Sequence, residues 1–300
     1  MKKIMILVLM SIIFGLGTLS AQTENVFEGE TVSRVSQVNK MKSKLLTKNI
    51  LAKMIAKSIM KRYIDNNPNN YIGTYDSKVI CKGNKTRTEM SYNNSIMITT
   101  IDGDKISTVT YFPYIKKGYT GGATSISQSK QQLEEMRKGK VEKTGETMTI
   151  LGRKCDVYKV RYQHTTDSAG TKMVMNLHND FAICQDPDLP GVDTEVLPGV
   201  KGVPLKCTVN TLSQTTNEMV NLDIDISIST ILKSITPRKV DDSEFEVPSD
   251  IKMIDADKEP KAFIKMLEEN KKYMVKKGLW KETPEDEAKI YDNLSEEWDF

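Results

Sequence analysis

Between Asn221 and Ser229 the chain alternates without a break: Leu222, Ile224, Ile226 and Ile228 stand between Asn221, Asp223, Asp225, Ser227 and Ser229. A period of two puts every second side chain on the same face of an extended strand. This segment therefore buries four β-favouring apolar side chains on one face and keeps the other in water. Just upstream, Leu205, Cys207, Val209 and Thr211 alternate with Lys206, Thr208 and Asn210, and Gln214–Asn217 supplies a turn. The two segments read as a hairpin.

The same logic finds further hairpins. Ser95–Ile101 and Ile106–Tyr111 flank Asp102-Gly103-Asp104, a turn whose glycine accepts positive φ. Tyr158, Val160 and Tyr162 answer Met173, Met175 and Leu177 across Asp167-Ser168-Ala169-Gly170, and Lys85–Met90 alternates as another strand. Antiparallel strands joined by short turns point to one curved sheet or partial barrel. Three segments depart from the pattern. Residues 40–64 read as a helical insertion after a first strand near Phe27–Val38, with Lys40, Lys42, Lys44, Lys48, Lys53, Lys57, Lys61 and Arg62 and no acid. Residues 184–204 read as an irregular connection in which Leu189-Pro190-Gly191-Val192 is echoed by Leu197-Pro198-Gly199-Val200. In the tail, Asp257 is expected to cap a helix from about Glu259 to Lys277, with Phe263, Met266, Leu267 and Met274 on one side and Gly278 as its stop. Thr283 and Pro284 begin a second helix.

The first 21 residues fit a secretory signal peptide: Lys2 and Lys3, an apolar run from Ile4 to Leu16, then small or neutral residues up to Ala21. The expected mature chain starts near Gln22 and resides in the periplasm or outside the cell. Charge is unevenly spread. The whole chain carries +3, residues 241–300 carry −8 and the leader carries +2, which leaves +9 on residues 22–240. Four cysteines remain, Cys81, Cys155, Cys184 and Cys207. In an exported chain they are disulfide candidates with three connectivities, and a Cys184–Cys207 bridge is one of them.

Chemistry leaves fewer marks. His164 and His178 are the two histidines, and no G-x-S-x-G accompanies them, so no nucleophile–base pair is legible and no catalytic residue is assigned. No C-x-x-C pair points to a metal. The glycines at 118, 121 and 122 lack the Lys-Ser/Thr of a phosphate-binding loop, and no cofactor is expected. Asp223 and Asp225 face water by their alternation. The basic segment 40–64 suggests contact with an anionic membrane surface more than with nucleic acid, which an exported protein rarely meets.

Gly83-Asn84-Lys85-Thr86-Arg87-Thr88-Glu89-Met90, Ile101-Asp102, Tyr111-Phe112-Pro113-Tyr114, Thr144-Gly145-Glu146-Thr147, Ile150-Leu151-Gly152-Arg153-Lys154-Cys155, Gly202-Val203-Pro204-Leu205 and Val240-Asp241-Asp242-Ser243-Glu244-Phe245-Glu246-Val247-Pro248 follow one another between residues 75 and 250. This ordered set resembles the DUF4412-type exported bacterial domain, similar to the periplasmic lipoprotein carriers of the LolA/LolB kind. The resemblance implies an α+β fold: a curved antiparallel sheet or half-open β-barrel with helices on its concave side, enclosing an apolar cavity for acyl chains. The expected organisation is a signal peptide at 1–21, a LolA-like domain at 22–250 with its basic insertion, and an acidic helical extension at 251–300. The expected function is non-catalytic carriage of a hydrophobic ligand. Candidate lining residues are Leu222, Ile224, Ile226, Ile228, Met173, Met175, Val209 and Met90. The rival expectation is an envelope interaction protein with a filled core, docking a protein partner through the basic helix or acidic tail.

Overall fold

The computed structural model describes residues 27–45, 54, 73–121, 124–125, 139–168, 171–216 and 220–279. The expected signal peptide, most of the expected basic helical insertion and the helix expected after Thr283 lie outside the described residues. The strands are β1 (Gly29–Leu45), β2 (Gly73–Lys82), β3 (Lys85–Met90), β4 (Ser95–Asp102), β5 (Lys105–Phe112), β6 (Lys117–Thr120), β7 (Thr124–Ser125), β8 (Lys140–Ile150), β9 (Arg153–Ser168), β10 (Thr171–Cys184), β11 (Glu195–Leu197), β12 (Val200–Lys201), β13 (Val203–Thr216), β14 (Val220–Pro237) and β15 (Lys252–Asp255). Among the described residues, the helix α1 (Pro260–Lys276) follows them.

Thirteen strands form one curved sheet in the order β15-β6-β5-β4-β3-β2-β1-β14-β13-β10-β9-β8, with β7 also on β5. Short turns build two runs of neighbouring antiparallel strands, and β1 joins them. It pairs with β2 along one edge and with β14 along the other, from Gly29↔Pro237 to Leu45↔Val220. The sheet ends at β15 and β8, which do not pair, so it is open. It is also mixed, because β15 runs parallel to β6. A purely antiparallel sheet was the expectation. The long chain between β6 and β15 lets the late strand return in either direction, as a hairpin turn would not. Gly118 helps it in. A Cβ there would lie 2.6 Å from Met253 Sδ and 2.7 Å from Tyr111 Cβ, so the bare backbone lets β15 and β5 both approach.

Two caps close the sheet around β3–β6. On one face, Ile80, Ile98 and Tyr111 pack under Val240 and Phe245 from the segment after β14. That segment is held by a capping box at Asp241 and Glu244, by Arg238, whose two guanidinium nitrogens each donate to Glu244 at 2.8 Å, and by Arg87 donating to the Glu244 carbonyl at 2.8 Å. On the other face, Met266 and Leu267 of α1 pack on Phe112, with Tyr119, Ile254 and Phe263 alongside. Asn270 of α1 donates to the Asn93 carbonyl at 3.0 Å in a fully buried contact.

Several boundaries differ from the expectations. Residues 40–45 are strand, not helix: β1 continues through Lys40, Lys42 and Lys44, paired by register with Asp225, Asp223 and Asn221. The alternation Lys40-Met41-Lys42-Ser43-Lys44-Leu45 is itself of period two, and the run of lysines hid it. Among the remaining residues of the expected helix, Met54 is described, and it is helical. The 184–204 connection is not wholly irregular, because β11 and β12 pair within it. Both echoed motifs work as turns, with Gly191 at φ 81° and Gly199 at φ 73° and with Leu189 and Leu197 buried. Gln214–Thr216 belongs to β13 instead of the turn. The β9–β10 hairpin forms, and of the two groups expected to face each other Tyr162 and Leu177 are directly paired, while Tyr158 stands opposite Phe181 and Val160 opposite Asn179. Asp257 does not cap α1. The cap position is Glu259, without a side-chain bond, and Asp255 accepts from the Asp257 and Lys258 amides in the turn before it. Gly103 turns at φ 55° between β4 and β5, and Gly278 ends α1 at φ 67°, both as expected.

Candidate ligand-binding face

Directly paired residues of neighbouring strands share a face, so the register alone sorts every side chain into one of two sets. Ile224 pairs with Ser213, which pairs with Met175, which pairs with His164. The adjacent rows are Ile226–Thr211–Leu177–Tyr162 and Ile228–Val209–Asn179–Val160. Leu222–Thr215–Met173–Thr166 completes a block of four rows on β14, β13, β10 and β9. No Asp, Glu, Lys or Arg occupies any position of the block. Charge is kept off these sixteen positions: Arg161 donates to Asp180 at 3.0 Å on the opposite face, and on the same face Lys143 donates to Asp156 at 2.6 Å beside Tyr158, one row outside the block.

Seven of the eight expected lining residues fall in this block. Ile226, Ile228 and Val209 are buried, while Ile224, Met173 and Met175 are half-buried. Leu222 belongs to it by register. Met90 shares the face but not the place. It lies on β3, three strands from β14, or about 14 Å at the usual strand spacing. The face changes character towards it: Ser33, Ser77, Thr88, Ser95, Thr99 and Thr110 are all buried there, and Thr99 and Thr108 share a hydroxyl hydrogen bond of 3.3 Å. Helix α1 packs on this same face through Phe112 and Tyr119.

Two buried side-chain oxygens inside the block have no hydrogen-bond partner. They are Thr211 Oγ1, on a residue 1% exposed, and Asn179 Oδ1. Sequence reasoning took Thr211 as part of an alternation and passed over Asn179. The signal was available, since Met173, Met175, Leu177 and Phe181 make Asn179 the polar member of an otherwise apolar set.

The histidines do not converge. His164 lies on the block face, with Nδ1 3.2 Å from the Tyr162 hydroxyl and Nε2 2.8 Å from Thr166 Oγ1. His178 is on the opposite face, where burial and Arg161 push its pKa down. The cysteines are all free thiols, which corrects the expected disulfide. Cys207 stands opposite Phe181, three residues from Cys184, so that pair cannot bridge. Cys184 faces Cys155 instead, both buried in one apolar cluster with Leu189 and Leu205. Burial, with Cys184 beside it, pushes the Cys155 thiol up to about 12. Burial, with Asp180 next in weight, does the same for Cys207, also to about 12.

No protein-family model matches this sequence, and no curated protein matches it.

Proposed function

We propose that this chain is an exported, non-catalytic carrier that holds a hydrophobic, acyl-type ligand against the uncharged block on β14, β13, β10 and β9. One observation carries the reading: four strands from two hairpins present sixteen register positions on one face without a charged residue. Ten of the sixteen are Leu, Ile, Val, Met or Tyr, and side chains of that kind line sites that take up a lipid tail. The DUF4412-type and LolA-like resemblance supports the same cargo, and with it a half-open barrel whose helices lie over the concave side. Helix α1 lies on the same side of the sheet as the block, at β5 and β6. Export rests on the order Lys2-Lys3, apolar run and small residues before Gln22.

Native mass spectrometry of protein purified from its own envelope, followed by titration of the delipidated protein with a fluorescent fatty acid, tests the proposal. Co-purifying lipid and saturable uptake are expected, on a chain whose first residue lies near Gln22. An intact N-terminus at Met1 removes the export reading. Delipidated protein that takes up no acyl probe removes the carrier reading and leaves docking of an envelope partner in its place.

A further inference from the structure

Resting on that carrier reading, we infer that Thr211 and Asn179 together form a polar anchor inside the uncharged block, and that the cargo is a neutral lipid whose head group carries a hydroxyl. The pairings Leu177↔Thr211 and Asn179↔Val209 make the two residues diagonal neighbours on one face. Diagonal side chains of adjacent strands stand about 7 Å or less apart at Cβ, so one oxygen can reach both. Thr211 Oγ1 and Asn179 Oδ1 are buried and unpartnered, and buried polar atoms in folded proteins nearly always have a partner.

The chemistry of the two atoms selects the ligand. Asn179 Oδ1 only accepts, whereas a threonine hydroxyl both donates and accepts. A ligand O–H donating to Asn179 and accepting from Thr211 satisfies both residues with a single oxygen. A carboxylate has no proton for Asn179, and the cation on this face next to the block, the Lys143 ammonium beside Tyr158, is already engaged by Asp156 at 2.6 Å. The nearest guanidinium, that of Arg161, is engaged by Asp180 and by the Val160 and Asn179 carbonyls. A plain hydrocarbon leaves both atoms orphaned.

The test is displacement of a fluorescent acyl probe from the full delipidated chain by dodecan-1-ol, dodecane or dodecanoate at neutral pH. Dodecan-1-ol is expected to compete roughly tenfold better than either relative, the scale of one or two hydrogen bonds. Thr211→Val, which keeps the side chain's shape, and Asn179→Leu should each lower its affinity about five- to tenfold while leaving dodecane unchanged. Retained probe binding and thermal midpoint establish that each variant is folded. Equal competition by alcohol and alkane, or an alcohol preference that survives both substitutions, overturns the anchor and assigns the two atoms to bound water. Failure to take up the probe at all overturns the carrier reading, and the anchor with it.

Discussion

Replacing Ile226 by asparagine tests the packing of the block and its use together. Ile226 is 5% exposed and packs with Val35, Ile228, Ile224 and Tyr75. Removing it from an apolar site forfeits about 1.5–3 kcal/mol of burial. The amide that takes its place adds about 1–3 kcal/mol where it finds no partner. One partner is at hand, because Thr211 stands directly opposite with its hydroxyl free. A hydrogen bond between them returns about 1 kcal/mol. The expected net loss is therefore about 2–5 kcal/mol, which a domain of ordinary stability survives. Urea denaturation should show a lower midpoint with an unchanged slope, and the folded variant should lose acyl-probe uptake. The hydroxyl's part is separable. In a Thr211→Val background, Ile226→Asn should cost about 1 kcal/mol more than in the parent. Additive effects of the two substitutions would refute the pairing, and a loss below about 1 kcal/mol for Ile226→Asn alone would refute close packing at this position.

Thr211→Val by itself should leave the ligand-free protein as stable as the parent or more so by up to about 1 kcal/mol, since it deletes a buried hydroxyl without a partner; calorimetry of delipidated protein decides this. Asn270→Ala should cost about 1–3 kcal/mol by orphaning the buried Asn93 carbonyl, with amide exchange accelerating most within α1. The reduced protein should weaken as pH rises from about 9 towards about 12. Folding raises the pKa of Cys155 and Cys207 above the ordinary 9.0, so the unfolded chain ionises first and is favoured by alkali. The loss is at most about 1.4 kcal/mol per pH unit for each thiol, and it should be smaller in Cys207→Ala, as urea midpoints between pH 8 and 11 would reveal.

Much of the strand content was legible because alternation is a local property. Leu222 to Ile228 determined which side chains share a face before any partner strand was known, and Asp102-Gly103-Asp104 and Gly278 marked a turn and a helix end by their own backbone freedom. Seven lining candidates came together for the same reason, since parity within each strand survives whatever the register turns out to be. Register itself is a long-range matter. That Gly29 pairs with Pro237, that β1 continues as a strand through its lysines, and that β15 returns parallel to β6 depend on contacts between residues far apart in the chain. So do the meetings of Thr211 with Asn179 and of Cys155 with Cys184. A strand's own pattern says which way each side chain points, but only the burial won when whole faces come together decides which residues it meets.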